Sequence, residues 1–302
     1  MNKNAREAGV PEAPLRDKGR VKRSPGSDAF VERSASLEGV LARRRAAQAQ
    51  IDALLTDGGT TADAMPRRVT GELGFILHAW DWSETSLLLD VLTARFGRVF
   101  LVAKGARRAS SQYRGLLTAF CPLRFTWSGQ KEAKVLIRAE WQGSMTPLTG
   151  EALLSGFYVN ELILKLTARE ERHPGLFQAY VEVLHSLALD ERDAVQPALR
   201  QFERRLLTVA GWAPVRAGDE KAAWFVVRDG VLFGLSDKSA LLPDETAYSA
   251  AAAEAVVTGV LSASVMRGTR DILRELIRFH LDGRSVHSRR ILAELHRLRD
   301  RF

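Results

Sequence analysis

The spacing of apolar residues divides the chain into three parts. Over residues 1–65, charged residues alternate with Pro, Gly, Ser and Ala, and large apolar residues are scarce. Such a composition buries too little apolar surface to offset the entropy of ordering, so this segment is predicted to be a disordered basic extension. Apolar residues then recur with a period of two over residues 66–148 and with the helical period over residues 149–302. This change of period predicts a β-rich domain followed by a helical one.

Five short strands are predicted between Val69 and Met145. Two of them, Ser86 to Thr93 and Arg98 to Lys104, flank a tight turn at Phe96-Gly97, which is typical of a hairpin. The fourth and fifth strands are each expected to turn one apolar face inward. The expected inward residues are Cys121, Leu123, Phe125 and Trp127 in the fourth strand and Val135, Ile137, Ala139 and Trp141 in the fifth. Several short strands separated by turns favour a small OB-fold barrel.

The second half of the chain predicts helices. They begin near Glu151, at His173-Pro174 and near Val195, and two more close the chain at about 250–281, broken near Gly268, and 288–300. Between them, a cysteine-free insertion at about 212–248 contains an Asp229-Gly230 step that predicts a small hairpin. The fold class is therefore predicted to be α+β, with an N-terminal OB-fold β-barrel and then an α-helical domain.

The composition narrows the function. The chain has 302 residues and a formal net charge of +8, which favours polyanionic partners. Its single cysteine, Cys121, excludes internal disulfides and cysteine-rich zinc sites. No segment resembles a signal peptide, and no apolar run is long enough to cross a bilayer. We therefore expect a cytoplasmic protein without a membrane partner, cofactor or zinc.

The positive charge is concentrated in the predicted barrel. From Arg95 to Arg138 there are ten basic residues and one acidic residue, a net charge of +9, so the rest of the chain is close to neutral. A local excess of this kind predicts phosphate contacts with nucleic acid, and Phe100, Tyr113 and the tryptophans could add base stacking. The candidate DNA-binding residues are Arg98, Lys104, Arg107, Arg108, Tyr113, Arg114, Arg124, Lys131 and Lys134.

Two further basic groups lie in the helical part. Arg200 and Arg204 flank Phe202 at helical spacing, which could form a dock for an acidic, hydrophobic peptide end. The run from Arg284 to Arg290 could be either a helix cap with solvated arginines or a second binding patch, and the sequence leaves both open.

Catalytic signatures are absent from the sequence. It has no phosphate-binding glycine loop, no nucleophile elbow and no His-Glu-x-x-His motif. The sequence thus favours a protein that is not an enzyme. A nuclease with scattered catalytic residues is one alternative, and an RNA-binding OB-fold protein or regulator is another, because phosphate contacts alone do not separate DNA from RNA.

Several motifs, in order, resemble one family. They are Phe75-Ile-Leu-His78, Ser83-Glu-Thr-Ser-Leu-Leu-Leu-Asp90, Phe96-Gly-Arg-Val99, Val102-Ala-Lys-Gly-Ala-Arg-Arg108, Arg114-Gly-Leu-Leu117, Phe120-Cys-Pro-Leu123, Gly156-Phe-Tyr-Val-Asn-Glu-Leu162, Leu199-Arg-Gln-Phe-Glu-Arg-Arg-Leu206 and Gly283-Arg-Ser-Val-His-Ser-Arg289. With their spacing, they resemble the bacterial DNA repair proteins of the RecO family over roughly residues 69–302.

The resemblance implies an OB-fold that binds single- and double-stranded DNA without catalysis. It also implies strand annealing and, with RecR, loading of the recombinase RecA onto DNA coated with single-stranded DNA-binding protein (SSB), whose acidic C-terminal tail is recognised. Such a recombination mediator would work on the nucleoid. The family's basic barrel segment matches Arg98, Lys104, Arg107, Arg108 and Arg114, and tail binding is carried over to Arg200, Phe202 and Arg204. Many members have a four-cysteine zinc module where this chain has residues 212–248 without cysteine. The 1–65 extension also falls outside the family pattern.

Overall fold

Five strands close into a barrel in a computed structural model that describes residues 65–143, 145–189, 192–219 and 221–299. The predicted extension lies outside the described residues, apart from Met65. The strands are β1 (Arg68–Trp82), β2 (Ser86–Thr93), β3 (Gly97–Ala103), β4 (Pro122–Ser128) and β5 (Ala133–Trp141). Their order around the barrel is β1-β2-β3-β5-β4, with β4 pairing back onto β1, and only the β3–β5 pair is parallel. The predicted OB-type barrel and its β2–β3 hairpin are confirmed.

Strand β5 differs from its predicted alternation. Leu136 pairs with Trp127 while Arg138 pairs with Thr126, so Ile137 is an extra residue in a β-bulge. The extra residue changes which side chains face inward: Leu136 is buried and Ile137 is exposed. Lys134, expected on the outer face, is only 1% exposed. The inward face predicted from Val135, Ile137, Ala139 and Trp141 is therefore wrong except at Ala139.

Strand β1 is buried on both faces over its central residues. Ile76 packs into the barrel core with Leu101 and Phe125. The alternating Leu73, Phe75 and Leu77 instead join the core of the helical part. Beyond Leu77 the helices no longer cover the strand, and its last five residues are exposed.

Six α-helices follow the barrel in the part of the chain that the structure describes. They are α1 (Gly150–Leu166), α2 (Pro174–Ala188), α3 (Arg192–Val209), α4 (Ala250–Thr258), α5 (Met266–His280) and α6 (His287–Arg299). The break predicted near Gly268 lies earlier, because Gly259 ends α4 in a left-handed conformation with φ +80°. Gly268 sits inside α5, where an added Cβ would approach the Ala252 side chain to 2.7 Å. Close packing between α4 and α5 therefore explains this glycine.

Residues 212–248 form most of a small sheet. Its strands are β6 (Arg216–Gly218), β7 (Trp224–Arg228), β8 (Val231–Leu235) and β9 (Tyr248–Ser249), in the order β6-β8-β7-β9, with a 3-10 helix at Lys238–Ala240. The predicted hairpin is confirmed: Asp229 and Gly230 both have positive φ, at 50° and 75°, as a tight two-residue turn between twisted strands requires.

Buried polar contacts join β1 to the helices. The Asn160 amide in α1 donates to the Leu77 carbonyl at 2.8 Å, and the Tyr180 hydroxyl in α2 donates to the Asn160 side-chain oxygen at 2.8 Å. The Phe75 ring packs edge-on against Tyr180, with centroids 5.3 Å apart. Because all these groups are buried, each polar atom depends on its partner for hydrogen bonding.

Replacing Asn160 with Ala should destabilise the protein more than replacing Tyr180 with Phe. Asn160→Ala leaves both the Leu77 carbonyl and the Tyr180 hydroxyl unpartnered, at about 1–3 kcal/mol for each buried group. Tyr180→Phe keeps the bond to Leu77. The free energy of unfolding in urea measures both variants, and an equal or smaller loss for Asn160→Ala would contradict this account.

Candidate nucleic-acid interface

The loop between β3 and β4 presents four exposed cations. Its residues 104–114 form the cationic loop, whose Lys104, Arg107, Arg108 and Arg114 side chains are exposed. The loop is docked by backbone contacts, since the Arg107 amide donates to the Thr85 carbonyl in the β1–β2 turn at 2.9 Å. The Arg107 guanidinium also lies 3.2 Å from the Asp81 carboxylate. These contacts hold the cations beside the end of β1.

Exposed aromatic side chains lie on the adjoining barrel surface. Trp80 is 38% exposed and Trp82 is 55% exposed at the end of β1. Trp80 meets the half-buried Phe100 of β3 edge-to-face, with centroids 6.0 Å apart, and the centroid of the His78 ring lies 4.4 Å from that of Trp80. We call Trp80, Trp82 and Phe100 the aromatic platform. Exposed rings of this kind can stack with nucleic-acid bases.

Arg169, which follows α1, covers one end of the aromatic platform. Its guanidinium lies 3.9 Å from the Phe100 ring centroid and 3.1 Å from the buried Asp90 carboxylate in β2. Burial raises the pKa of Asp90, and the charges of Arg98 and Arg169 oppose that rise. A further ion pair joins Arg169 to Glu132. With two carboxylates bound, Arg169 is suited to positioning Phe100 rather than binding phosphate.

Strand register brings the platform and the loop together. Trp82 pairs with Ser86 of β2, and the neighbouring Leu87 pairs with Ala103 of β3, directly before Lys104. Trp82 and Lys104 therefore lie at the same level of the sheet, two strand spacings or roughly 10 Å apart across it. Cations next to stacking rings can hold the phosphates and the bases of one single strand.

The predicted DNA-binding residues divide into two groups. The exposed ones are Lys104, Arg107, Arg108, Arg114 and Lys131. The others, Arg98, Tyr113, Arg124 and Lys134, make internal contacts that hold the fold together. Sequence alone could not separate the two groups, because both combine basic or aromatic residues with strand and loop positions.

The internal contacts correct the prediction for this second group. Arg98 donates to the Leu164 carbonyl at 2.9 Å, and Arg124 donates to the Gly71 carbonyl at 2.8 Å. The Tyr113 ring is buried and its hydroxyl donates to the Ile137 carbonyl at 2.9 Å. Lys134 is buried beside Leu136 and pairs with Glu170. As placed here, the Tyr113 ring cannot stack on a base and the Lys134 ammonium cannot reach a phosphate.

The predicted partner residues on α3 are also mostly internal. Arg200 is buried and lies 2.6 Å from Glu203, and Arg204 donates to the Val257 carbonyl at 2.7 Å. Phe202 is buried, but it lines a groove of about 210 Å³ between α2 and α3. The other lining residues are Ala179, Glu182, Val183, Ser186, Ala198, Gln201 and Arg205. The cation among these lining residues is Arg205, whereas the predicted Arg200 and Arg204 do not line the groove.

The sequence names the tryptophans only as a group that could stack on bases, and it does not predict Arg169. The signal that singles out Trp80 and Trp82 is their place among the exposed, polar positions at the end of β1. Arg169 left no signal, because it lies in a segment distant from the barrel and only tertiary structure brings it to Phe100.

Two other features bear on function. Within the described ranges, no three His, Cys, Asp or Glu side chains come together as a metal site. Among those same residues, no helix combines the length and apolar character needed to span a membrane.

Comparison with known proteins identifies the family. The chain matches the family model "Recombination protein O N terminal" over residues 69–145 and "Recombination protein O C terminal" over residues 147–217. It is 39% identical over 241 residues to DNA repair protein RecO of Azoarcus sp., covering 77% of this chain and 98% of that protein. It is 38% identical over 266 residues to DNA repair protein RecO of Ralstonia nicotianae, covering 80% of this chain and 90% of the relative. The chain belongs to the RecO family.

Membership confirms the resemblance drawn from the motifs. The RecO N-terminal match covers all five strands of the barrel except the first residue of β1, and it includes the cationic loop and the aromatic platform. The candidate interface thus lies in the domain that the N-terminal family model matches, and RecO proteins are DNA repair and recombination proteins.

Replacing Trp82 with Ala should weaken single-strand binding. Loss of one stacked base costs about 1–3 kcal/mol, or roughly 5- to 150-fold in Kd. Trp141→Ala is the matched control, because Trp141 is 60% exposed but lies level with Leu123 and Gly74 at the other end of the barrel. Fluorescence anisotropy of a labelled oligothymidylate measures both. A loss that is equal in the two variants, or absent in Trp82→Ala, would remove the platform from the site.

Proposed function

We propose that this RecO-family protein is a non-enzymatic recombination mediator that binds single- and double-stranded DNA on its barrel. In this proposal it anneals complementary strands and, with RecR, promotes RecA loading onto DNA coated with SSB. It would do so in the cytoplasm, on chromosomal DNA, without a cofactor or zinc. The observation that carries the proposal is the cationic loop beside the aromatic platform.

The electrostatics favour a polyanion at this surface. Five of the predicted cations are exposed on the barrel, and of these only Arg107 lies within 4 Å of a described carboxylate, that of Asp81. Binding a phosphate backbone would release counterions and relieve repulsion among these charges. Stacking on the platform adds a preference for unpaired bases, since bases within a duplex do not expose their faces.

An RNA-binding protein or regulator remains the second candidate. Neither stacking nor phosphate contact distinguishes deoxyribose from ribose. Family membership favours DNA, and competition between single-stranded DNA and RNA of the same sequence separates the two candidates. Incubating labelled DNA with the protein and Mg²⁺ tests the nuclease alternative, because shortened DNA would contradict a non-enzymatic role.

The groove between α2 and α3 supports a partner site for the SSB tail. Its lining combines apolar side chains, including Val183 and Phe202, with polar ones that include Glu182 and Arg205. The Arg205 guanidinium lies 3.0 Å from Glu182, and both side chains are partly exposed. An apolar peptide end could occupy the groove while acidic residues approach Arg205. This assignment replaces Arg200 and Arg204 with Arg205 and keeps Phe202.

Replacing Lys104, Arg107 and Arg108 together with Ala should weaken DNA binding. Each lost phosphate contact should reduce the slope of log affinity against log salt by roughly 0.9 on duplex and 0.7 on single strands. Binding titrations at several salt concentrations measure the slope. If the folded variant keeps the wild-type slope, the cationic loop is not the DNA site.

Annealing of complementary strands tests the mediator role. We expect the protein to anneal both bare strands and strands coated with the cognate SSB. Ala198→Phe, which fills the α2–α3 groove, should abolish annealing on coated strands and leave it intact on bare ones. If the wild-type protein anneals neither, it is a DNA binder without mediator activity. If Ala198→Phe anneals coated strands normally, the groove does not bind the tail.

A further inference from the structure

A cleft in the helical part collects arginines away from the barrel interface. It has a volume of about 360 Å³ and lies between α5, the turn that follows it, and α6. Arg274 and Arg278 enter it from α5, Arg284 from the turn and Arg289 from α6. We call these four residues the arginine cleft. Its apolar floor includes Ile277, Leu281 and Val286.

The four arginines are poorly neutralised. Among the described residues, Arg278 and Arg289 have no carboxylate within 4 Å, while Arg274 and Arg284 each have one at 3.6 Å. The one acidic residue lining the cleft in this part of the chain is Glu275. Burial raises the pKa of the Glu275 carboxyl, and the neighbouring Tyr248 hydroxyl and Arg278 charge oppose that rise. The cleft therefore has a surplus of positive charge.

Burial, followed by the like charges of Arg289 and Arg270, lowers the pKa of Arg274. These positive charges repel one another, and an anion bound among the guanidinium groups would offset that repulsion. Guanidinium groups also match the geometry of phosphate oxygens, which they can bind with two parallel hydrogen bonds.

The positive surface extends beyond the cleft. Arg267, Arg270, Arg274 and Arg278 recur at intervals of three, four and four residues, so they share one face of α5. Within this row Arg270 is paired with Asp271 at 3.0 Å. This row spans about 16 Å at the helical rise of 1.5 Å per residue. A row of this length suits a polyanion with repeated charges better than a single peptide carboxylate.

The cleft also adjoins the barrel through α1. The Lys165 ammonium donates to the Ser285 carbonyl at 2.6 Å, next to Leu164, whose carbonyl accepts from Arg98 of the barrel. The Glu161 carboxylate accepts from the His287 and Ser288 amides at 2.8 and 2.9 Å and so anchors the start of α6. Burial opposes ionisation of Glu161, but these bonds and those from Lys165 and the Ser288 hydroxyl outweigh it and lower its pKa to about 2. The cleft wall is thus fixed to the helix that meets the barrel.

We propose that the arginine cleft is a second phosphate-binding site for nucleic acid, which extends the footprint of the barrel interface onto the helical part. The proposal rests on nucleic-acid binding as the function of the barrel. A strand too short to leave the barrel would not use the cleft, whereas a longer strand or a second strand would.

The test compares Arg278→Gln/Arg284→Gln with Lys221→Gln/Lys238→Gln in the full chain. Arg278 and Arg284 are exposed, with Arg284 71% exposed, so the fold should tolerate their replacement. The control removes the same charge from Lys221 and Lys238, which are also exposed. These lysines lie near the start of β7, and the turn at Gly230, beside Phe279 of α5, follows the other end of that strand. Circular dichroism melting checks that both variants are folded.

Binding is measured against salt with oligothymidylates of about 8 and about 32 nucleotides, below and above the ~16 nucleotides that one OB-fold covers at most. On the longer strand, we expect the cleft variant to lose up to roughly 1.4 in slope, at about 0.7 for each phosphate contact. On the shorter strand the slope of the cleft variant should equal that of wild type. The control variant should show at most a small change in slope, of the same size on the two strands.

Three results would overturn the proposal. An unchanged slope on the longer strand, with wild-type binding intact, means that the cleft does not contact nucleic acid. If the cleft variant keeps wild-type nucleic-acid binding but binds an acidic peptide with an apolar C-terminal residue more weakly, the cleft is a peptide site. If the wild-type protein binds neither oligonucleotide, the proposed function itself fails, and the cleft proposal fails with it.

Discussion

Burial of β1 on two faces is the constraint on which the rest of the structure depends. Ile76 fills the barrel, while Leu73, Phe75 and Leu77 pack against the helices. A strand in this position cannot shift its register by one residue without exchanging the two sets of side chains. The Asn160 bond to the Leu77 carbonyl fixes the same strand from the helical side. The barrel and the helices are therefore parts of one packed unit.

The position of the candidate interface follows from where that double burial ends. After Leu77 the helices no longer cover β1, so Trp80 and Trp82 are exposed on the barrel surface. The cationic loop packs on the turn that follows them, through the Arg107 backbone. Arg169 comes from the end of α1 and, held by Asp90, lies on Phe100. The helical part thus helps to shape a surface that otherwise belongs to the barrel.

The cations of this chain have two physical roles that their residue type does not reveal. Lys104 and Arg108 are exposed and free to meet a polyanion, whereas Arg98 and Lys134 bind carboxylates and carbonyls inside the fold. Burying a charge is costly unless it is paired and hydrogen bonded, so the second pair contributes to the structure and adds little to the external field. The net charge of +9 from Arg95 to Arg138 therefore overstates the positive charge that is available to a bound nucleic acid.

The sequence by itself determined the order of elements, the barrel, the hairpins, the position of the basic loop and the family. These follow from local periodicity, turn residues and ordered motifs, which act over short stretches of chain. Tertiary structure decided the face of β5, since one bulge at Ile137 reverses the alternation and buries Lys134. It also decided that Tyr113 is internal, that Arg169 reaches Phe100, and that arginines from α5 and α6 meet in one cleft. Such outcomes depend on contacts between residues far apart in the chain, and periodicity along the sequence carries no information about those contacts.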